Sequence, residues 1–362
     1  MRIIRIPQSS LSAFFLILAQ AGWVLFSASL YAQVKRVIYQ PGPGDFKYTF
    51  GQSRPVLKVR PGTIIETYTE DCYDGRVKKP GDLPTEVIPP GHDNPQTGPF
   101  YIEGAEPGDT LAVHLISLEP VRDYAISSYF PDFGILTPTK YTAMLNQPLP
   151  ETVWWYQVDK KKGTVRFQSR QGNFSLELPV KPFLGCLGVA PADNEVRTTI
   201  VPEAFGGNLD SPEVRPGHTI YLPVNVKGAL LFLGDGHLIQ GEGEIIGTAV
   251  EAAMKVVLYV DLVKSWKIEW PRIESDEYLM SLGSYRPLED AFRIAHRDMV
   301  DWLTTAYRLE TMDAYQLLSQ VGEARIAQVV DPNYTVVARI PKKYLPADGQ
   351  ETPHQKIRKL KL

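Results

Sequence analysis

The placement of proline and glycine constrains this chain before any other feature does. Thirty prolines and 28 glycines fall between short runs rich in Val, Ile, Leu and Tyr, a pattern that favours strands over helices. Such runs are 48–50, 56–59, 63–68 and 110–115, and the pairs Pro61-Gly62 and Pro107-Gly108 are turns of the kind that feed strands. Residues 74–99 are polar and rich in Gly and Pro, which predicts a long loop, and 122–152 read as irregular. A hairpin follows, 154–158 with 164–167, turning at Lys160-Lys161-Lys162-Gly163. Residues 180–270 form a second β-rich half that ends in a long strand over 255–264.

Only between 286 and 325 does the period change. Leu288, Ala291, Phe292, Ala295, Met299, Trp302 and Leu303 recur at helical spacing behind Pro287, and 313–318 suggests a second helix. Strands at 326–330 and 335–340 close the domain. The expected class is mainly β, with two β-sandwich-like lobes (about 34–125 and 180–270) and a few C-terminal helices. The expected catalytic domain covers 33–345, and the basic tail 346–362 reads as loose.

At the N-terminus Arg2 and Arg5 precede the apolar run Leu11 to Leu30, and Tyr31-Ala32-Gln33 offers a small-residue cleavage point. Residues 1–32 thus form a secretory signal segment, which places the protein in the periplasm or outside the cell, with an uncleaved anchor as the alternative. No second apolar stretch is long enough to span a bilayer. The formal net charge of -3 leaves no basic footprint for nucleic acid. Cys72 and Cys186 are the only cysteines, and nothing in their spacing demands a disulfide.

The densest chemistry lies at 234–244, where eleven residues hold three carboxylates, one imidazole, one amide and four glycines. The apolar run Gly228 to Leu233 before it reads as a buried strand. Asp235 and His237, two apart, project to one side of an extended backbone, and Glu242 and Glu244 are expected to share that relation. Binding a cation and activating water with it accounts for so many ionisable groups beside a core strand. The stretch lacks the lysine and spacing of a phosphate loop. The chain has neither a Gly-x-Ser-x-Gly elbow nor a His-Glu-x-x-His pair. Cys186, in an apolar context, makes a poor nucleophile. His92, His114, His218, His296 and His354 read as ordinary hydrogen-bonded side chains, and Asp109 and Glu106 as turn residues.

Six segments together carry a family resemblance. They are Asp71–Gly75, Gly98–Asp109, Gly185–Ala192, Phe205–Asp210, Leu222–Glu244 and Gly247–Glu251. In this order and rough spacing the chain resembles the acetamidase/formamidase family from about residue 45 to about residue 345. Glu242 departs from it, standing where the family usually has Asp. The resemblance implies a β-rich fold, hydrolysis of small amides to carboxylate and ammonia, a divalent metal, and a homo-oligomer, to which the Trp154-Trp155-Tyr156 strand could contribute. The expected ligands are His237 and Asp235, joined by Asp71 and Glu251. Zinc is favoured and calcium is the alternative. Glu244 is the expected general base, Glu103 a second acid or ligand, and Asn208 and Gln240 donors to the substrate carbonyl or oxyanion.

Overall fold

In the computed structural model, the described residues are 34–131, 133–137, 149–346, 351–360 and 362. The signal segment expected at 1–32 lies outside them. No described helix is long and apolar enough to cross a membrane.

A nine-stranded sheet runs, in spatial order, through Lys35–Ile38, Thr63–Tyr68, Met254–Val263, Thr110–Pro120, Thr219–Pro223, Arg272–Glu274, Tyr278–Tyr285, Tyr334–Pro341 and Glu323–Gln328. Its spine is the antiparallel pair Met254–Val263 and Thr110–Pro120, whose register slips once between Val257 and Leu258. The extra residue there is a bulge, which adds local twist. A six-stranded sheet runs Pro202–Glu203, Gly206–Asn208, Phe183–Gly188, Leu231–His237, Gln96–Ile102, Leu57–Val59. Side chains from both sheets, among them Val113 and Leu258 from the first and Leu184 and Leu231 from the second, fill one apolar core. Burying each such side chain contributes about 1.5–3 kcal/mol. The 154–167 hairpin extends into a four-stranded sheet, Ser175–Pro179, Thr164–Gln168, Thr152–Asp159, Tyr124–Tyr129.

The fold is mainly β with several sheets and few helices, as the punctuation requires. The two β-rich halves interleave in space, since each large sheet draws strands from both. The helical periodicity becomes Leu288–Tyr307, which buries Ala291, Ala295, Met299, Trp302 and Leu303. It lies close on the Tyr278–Tyr285 strand at Gly283, where a Cβ would stand 2.3 Å from the Ala291 carbonyl oxygen. Phe292 is exposed and stacks on His296. The second helix is Thr311–Val321.

Three local expectations are corrected. The stretch read as irregular contains the strand Tyr124–Tyr129, and the long polar loop contains the turn of helix Pro84–Val87 and the start of the Gln96–Ile102 strand. The tail is docked. Helix Pro353–Lys359 opens with a capping box, in which the Thr352 hydroxyl accepts from the Gln355 backbone N–H and the Gln355 side chain accepts from the Thr352 N–H. Its His354 and Ile357 are buried, and the His354 N–H donates to the Tyr221 hydroxyl at 3.0 Å.

The docked helix joins a buried histidine group. Thr219 Oγ1 lies 2.9 Å from both His114 Nδ1 and His354 Nδ1. Beside them, His218 donates from Nδ1 to the Glu213 carbonyl at 2.9 Å and accepts at Nε2 from Arg215. That geometry requires neutral His218. Burial, then the Arg215 charge, lowers its pKa from 6.5 to about 4. Between these values the unfolded chain binds the extra proton, so the contribution of His218 is complete above pH 6.5 and is lost as pH falls towards 4. The cost of His218→Gln, measured by urea unfolding, is therefore expected to be about 2 kcal/mol smaller at pH 4.5 than at pH 7. A pH-independent cost would contradict this reading.

Candidate active site

The site grows from three neighbouring strands of the six-stranded sheet. In the central one, Phe183–Gly188, Cys186 pairs with Asn208 on one side and with Gly234 on the other. The strand Leu231–His237 runs through the glycine-rich segment, and Asp235 and His237 converge, although Asp235 has a left-handed backbone, φ 59°, that departs from plain strand alternation. The glycines on either side of Asp235 leave room for neighbouring side chains. A Cβ on Gly234 would meet Gln96 Nε2 at 2.6 Å, and one on Gly236 would meet Met254 Cγ at 2.2 Å. Gly185 leaves the room that the acids occupy. A Cβ there would stand 2.3 Å from Asp235 Oδ2 and 2.6 Å from Asp210 Oδ1.

The hydrogen bonds of Gln240 set the tautomer of His237. Its amide nitrogen donates to two carbonyls, Asp210 at 2.8 Å and Ala327 at 3.0 Å. The Gln240 oxygen must then face His237 Nδ1, 2.9 Å away, so Nδ1 carries a proton. The other ring nitrogen, Nε2, faces Asp235 Oδ1 at 3.2 Å, Glu251 Oε2 at 3.2 Å and Asp210 Oδ1 at 3.9 Å. All three oxygens are buried without a hydrogen-bond partner. Glu251 is aimed by the Ala249 N–H, which donates to its other oxygen at 2.7 Å. Three uncompensated buried carboxylate oxygens converging on one imidazole nitrogen are costly unless a positive charge sits among them. The donor set therefore fits a divalent cation. Two sets of potential ligand atoms lie within 4.8 Å of one another, Asp210 with His237 and Glu244, and Cys72 with Asp235 and Glu251.

Without a cation among them, the acids instead favour a proton on the imidazole. Burial opposes charge on His237, yet the Glu251 and Asp235 carboxylates outweigh it and raise the imidazole well above its usual range. Burial likewise pushes Asp235 up, but the neighbouring imidazole prevails and holds it low. Burial and then the Asp210 charge raise Glu244. Burial, followed by the Asp331 charge, raises Asp210. Cys72 is raised by burial and then by Glu251.

Several expected site residues prove to have other partners. Asp71 is buried but does not line the cavity. Its Oδ2 accepts from Arg122 at 2.7 Å and its Oδ1 from the N–H groups of Tyr73 and Gly75. The guanidinium, which it shares with Glu70, is its partner, and it braces the turn that carries Cys72. Glu103 is half exposed and pairs with Arg60, away from the site. Asn208 is next to the acids, but its amide nitrogen donates to Asp210 Oδ2 at 2.9 Å and Asp331 Oδ2 at 2.8 Å, so no donor is left for an oxyanion. Gln240 is saturated in the same way. Glu242 and Glu244 part company because the backbone turns between them, with Gly243 at φ 81° and Glu244 at φ 48°. Glu242 is exposed on Arg325, whereas Glu244 is buried and lines the cavity.

The sequence reading missed Asp210, Asp331 and Asn94. Asp210 ends the Phe205–Asp210 segment of the family resemblance, which was a usable signal, whereas its left-handed backbone, φ 43°, appears only in the fold. Asp331 sits in an Asp-Pro-Asn turn, and a turn aspartate has a sufficient local explanation. Asn94 donates to Asn208 Oδ1 at 2.8 Å and lies in the supposed loop.

These groups form the floor of a cavity of about 410 Å³, with apolar residues such as Ile88, Phe130, Phe133 and Ile200 also lining it. The comparisons with known proteins agree with this frame. The solved acetamidase of Yersinia enterocolitica is 41% identical, with a TM-score of 0.80, over 90% of this chain and 99% of that one. The acetamidase structure from Bacillus halodurans is 29% identical, with a TM-score of 0.76, over 85% of this chain and 98% of that one. The acetamidase of Mycolicibacterium smegmatis is 26% identical over 258 residues, 57% of this chain, which spans 63% of that relative's length. The model of the acetamidase/formamidase family matches residues 52–198 and 192–345, between them most of the chain. By that match, and by the solved fold that it shares almost end to end, the chain belongs to the acetamidase/formamidase family.

Proposed function

We propose that this protein hydrolyses the C–N bond of a small neutral carboxamide, of the formamide and acetamide kind, to a carboxylate and ammonia. The observation that carries the proposal is the set of unpartnered oxygens of Asp210, Asp235 and Glu251 around His237 Nε2, at the floor of a cavity. The named relatives are acetamidases and formamidases, which supports the same reading.

His237, Asp235, Glu251 and Asp210 would hold the cation. A nitrogen donor and a nearby thiol favour zinc over calcium, whose sites are built from oxygen. When bound, such an ion polarises a carbonyl and lowers the pKa of water. The remaining work falls to side chains. Glu244, lifted by burial, sits where it can take a proton from the attacking water and deliver it to the leaving nitrogen, which is otherwise a poor leaving group. Asn208 holds Asp210 and Asp331 in place by donating to both, and Gln240 keeps the imidazole turned towards the acids. No Lys or Arg lines the cavity among the described residues, which disfavours an anionic substrate. The proposal includes export through residues 1–32, supported by Arg2, Arg5 and the apolar run behind them, and assembly as a homo-oligomer, supported by the family resemblance.

Ammonia release from formamide and acetamide, followed before and after chelation and after zinc is restored, tests the core of this. Activity is expected to fall to background and to return with the metal. Unfolding on chelation, with no turnover of any amide at any stage, would instead point to structural calcium in a non-catalytic β protein.

A further inference from the structure

The cavity is lined by two kinds of side chain, and only one kind matches a carboxamide. One part of the lining is acidic and hydrogen-bonded. Another part is apolar, with Ile88, Phe130, Phe133 and Ile200 beside Pro89 and Pro90. The aromatic part is braced. Phe130 meets Phe133 edge-on with ring centroids 6.1 Å apart, and lies 6.4 Å from the ring of Tyr73. Phe133 in turn rests on Gly247, where a Cβ would stand 2.4 Å from its Cδ1. A glycine there lets the ring approach the backbone that leads to Glu251.

The volume of about 410 Å³ has room for roughly a dozen waters at ~30 Å³ each. Formamide or acetamide fills a small corner of it and leaves the apolar wall wet. Cavities of this size and lining ordinarily bury most of a considerably larger ligand, with a few polar groups fixing its orientation. The acids on the floor and the absence of Lys and Arg from the described lining bar a negative charge at the far end of that ligand.

Building on the amidase reading above, we propose that the preferred substrate is a neutral primary amide whose acyl group is an apolar chain or ring of about six carbons, seated against Ile88, Phe130, Phe133 and Ile200. The reaction is ordinary hydrolysis. A bond forms from water oxygen to the carbonyl carbon, the C–N bond breaks, both protons of that water pass to the leaving nitrogen, and carboxylate and ammonium depart. The wall adds binding for the acyl group and leaves the bond changes untouched.

The experiment is a kcat/KM series on the metal-loaded full chain with acetamide, butanamide, hexanamide and benzamide, read as ammonia release. The value is expected to rise about fourfold per methylene added, the ratio that burying one methylene supplies, with benzamide close to hexanamide. Phe130→Ala and Ile88→Gln are each expected to lower hexanamide and benzamide at least about fourfold more than acetamide. A wild-type series that is flat, or that falls with chain length while acetamide is still turned over, overturns this inference and leaves the amidase reading standing. Ammonia from none of the four amides overturns both. The wild-type series decides the matter even if a variant fails to fold.

Discussion

His237→Ala is expected to lose at least about 100-fold in metal affinity and to reduce amide turnover to background, with folding intact. The lower bound is what removal of a mere supporting partner of a metal ligand costs, and His237 is placed to be a ligand itself. The substitution leaves Asp235, Glu251 and Asp210 facing one another with no imidazole between them. Their mutual repulsion should shift protons onto the acids, because buried carboxylates that cannot share a cation neutralise. The fold should survive because the strand is otherwise held by Leu231, Phe232 and Leu233, all fully buried. Metal content by elemental analysis and ammonia release are the readouts. Wild-type turnover with wild-type metal content would mean that the centre lies elsewhere. Gln240→Leu should give a milder version, about 10- to 100-fold, since it frees the ring to turn but keeps the nitrogen.

Gly185→Ala should do comparable damage from the far side of the same centre. One methyl group there would overlap both Asp235 Oδ2 and Asp210 Oδ1, at 2.3 and 2.6 Å. Asp210 is not free to move, because its Oδ2 accepts from Asn208 and its backbone N–H donates to the Gly185 carbonyl at 3.1 Å. Overpacking of this kind costs about 1–3 kcal/mol of stability. The larger effect is on the cation, whose two aspartate donors are pushed apart, so turnover should fall at least about 100-fold. The control is Gly217→Ala, at an open surface turn with nothing within 4 Å of the new carbon, where the φ of +85° strains the backbone but touches no acid. Equal losses of activity in both variants would show that general destabilisation, and not the acid pair, explains the Gly185 result.

What the sequence made legible and what it hid follow from how local each signal is. The helix Leu288–Tyr307 was readable because its apolar spacing repeats over several turns. Asp235 with His237 was read correctly as a pair, although the left-handed φ of 59° at Asp235 means that simple alternation does not account for their meeting. Glu242 with Glu244 carries the same spacing and was misread, since a left-handed turn at Gly243 and Glu244 breaks the alternation. Glu103 was misassigned because a conspicuous segment does not say which of its side chains face inward. Asp71 was misassigned for a different reason: its burial is offset by Arg122, 51 positions away, and no local pattern announces that partner. Asp210 and Asp331 join through Asn208, which lies 123 positions before Asp331, so the acid pair exists only in the fold. The tail helix had a readable signature, Thr352 followed three residues later by Gln355, but its basic composition concealed it.

The interleaving of the two sheets has a consequence for biogenesis. One wall of the reaction chamber rests on Asn94, and another on Asp331, beyond the helix Leu288–Tyr307 in the chain order. A nascent polypeptide leaving the ribosome cannot finish the chamber until nearly all of it has emerged, and the apolar strands made first must wait for partners synthesised much later. Such distant pairings fold slowly. Splitting the gene between the halves should give two insoluble pieces, with no working fragment to be rescued from either.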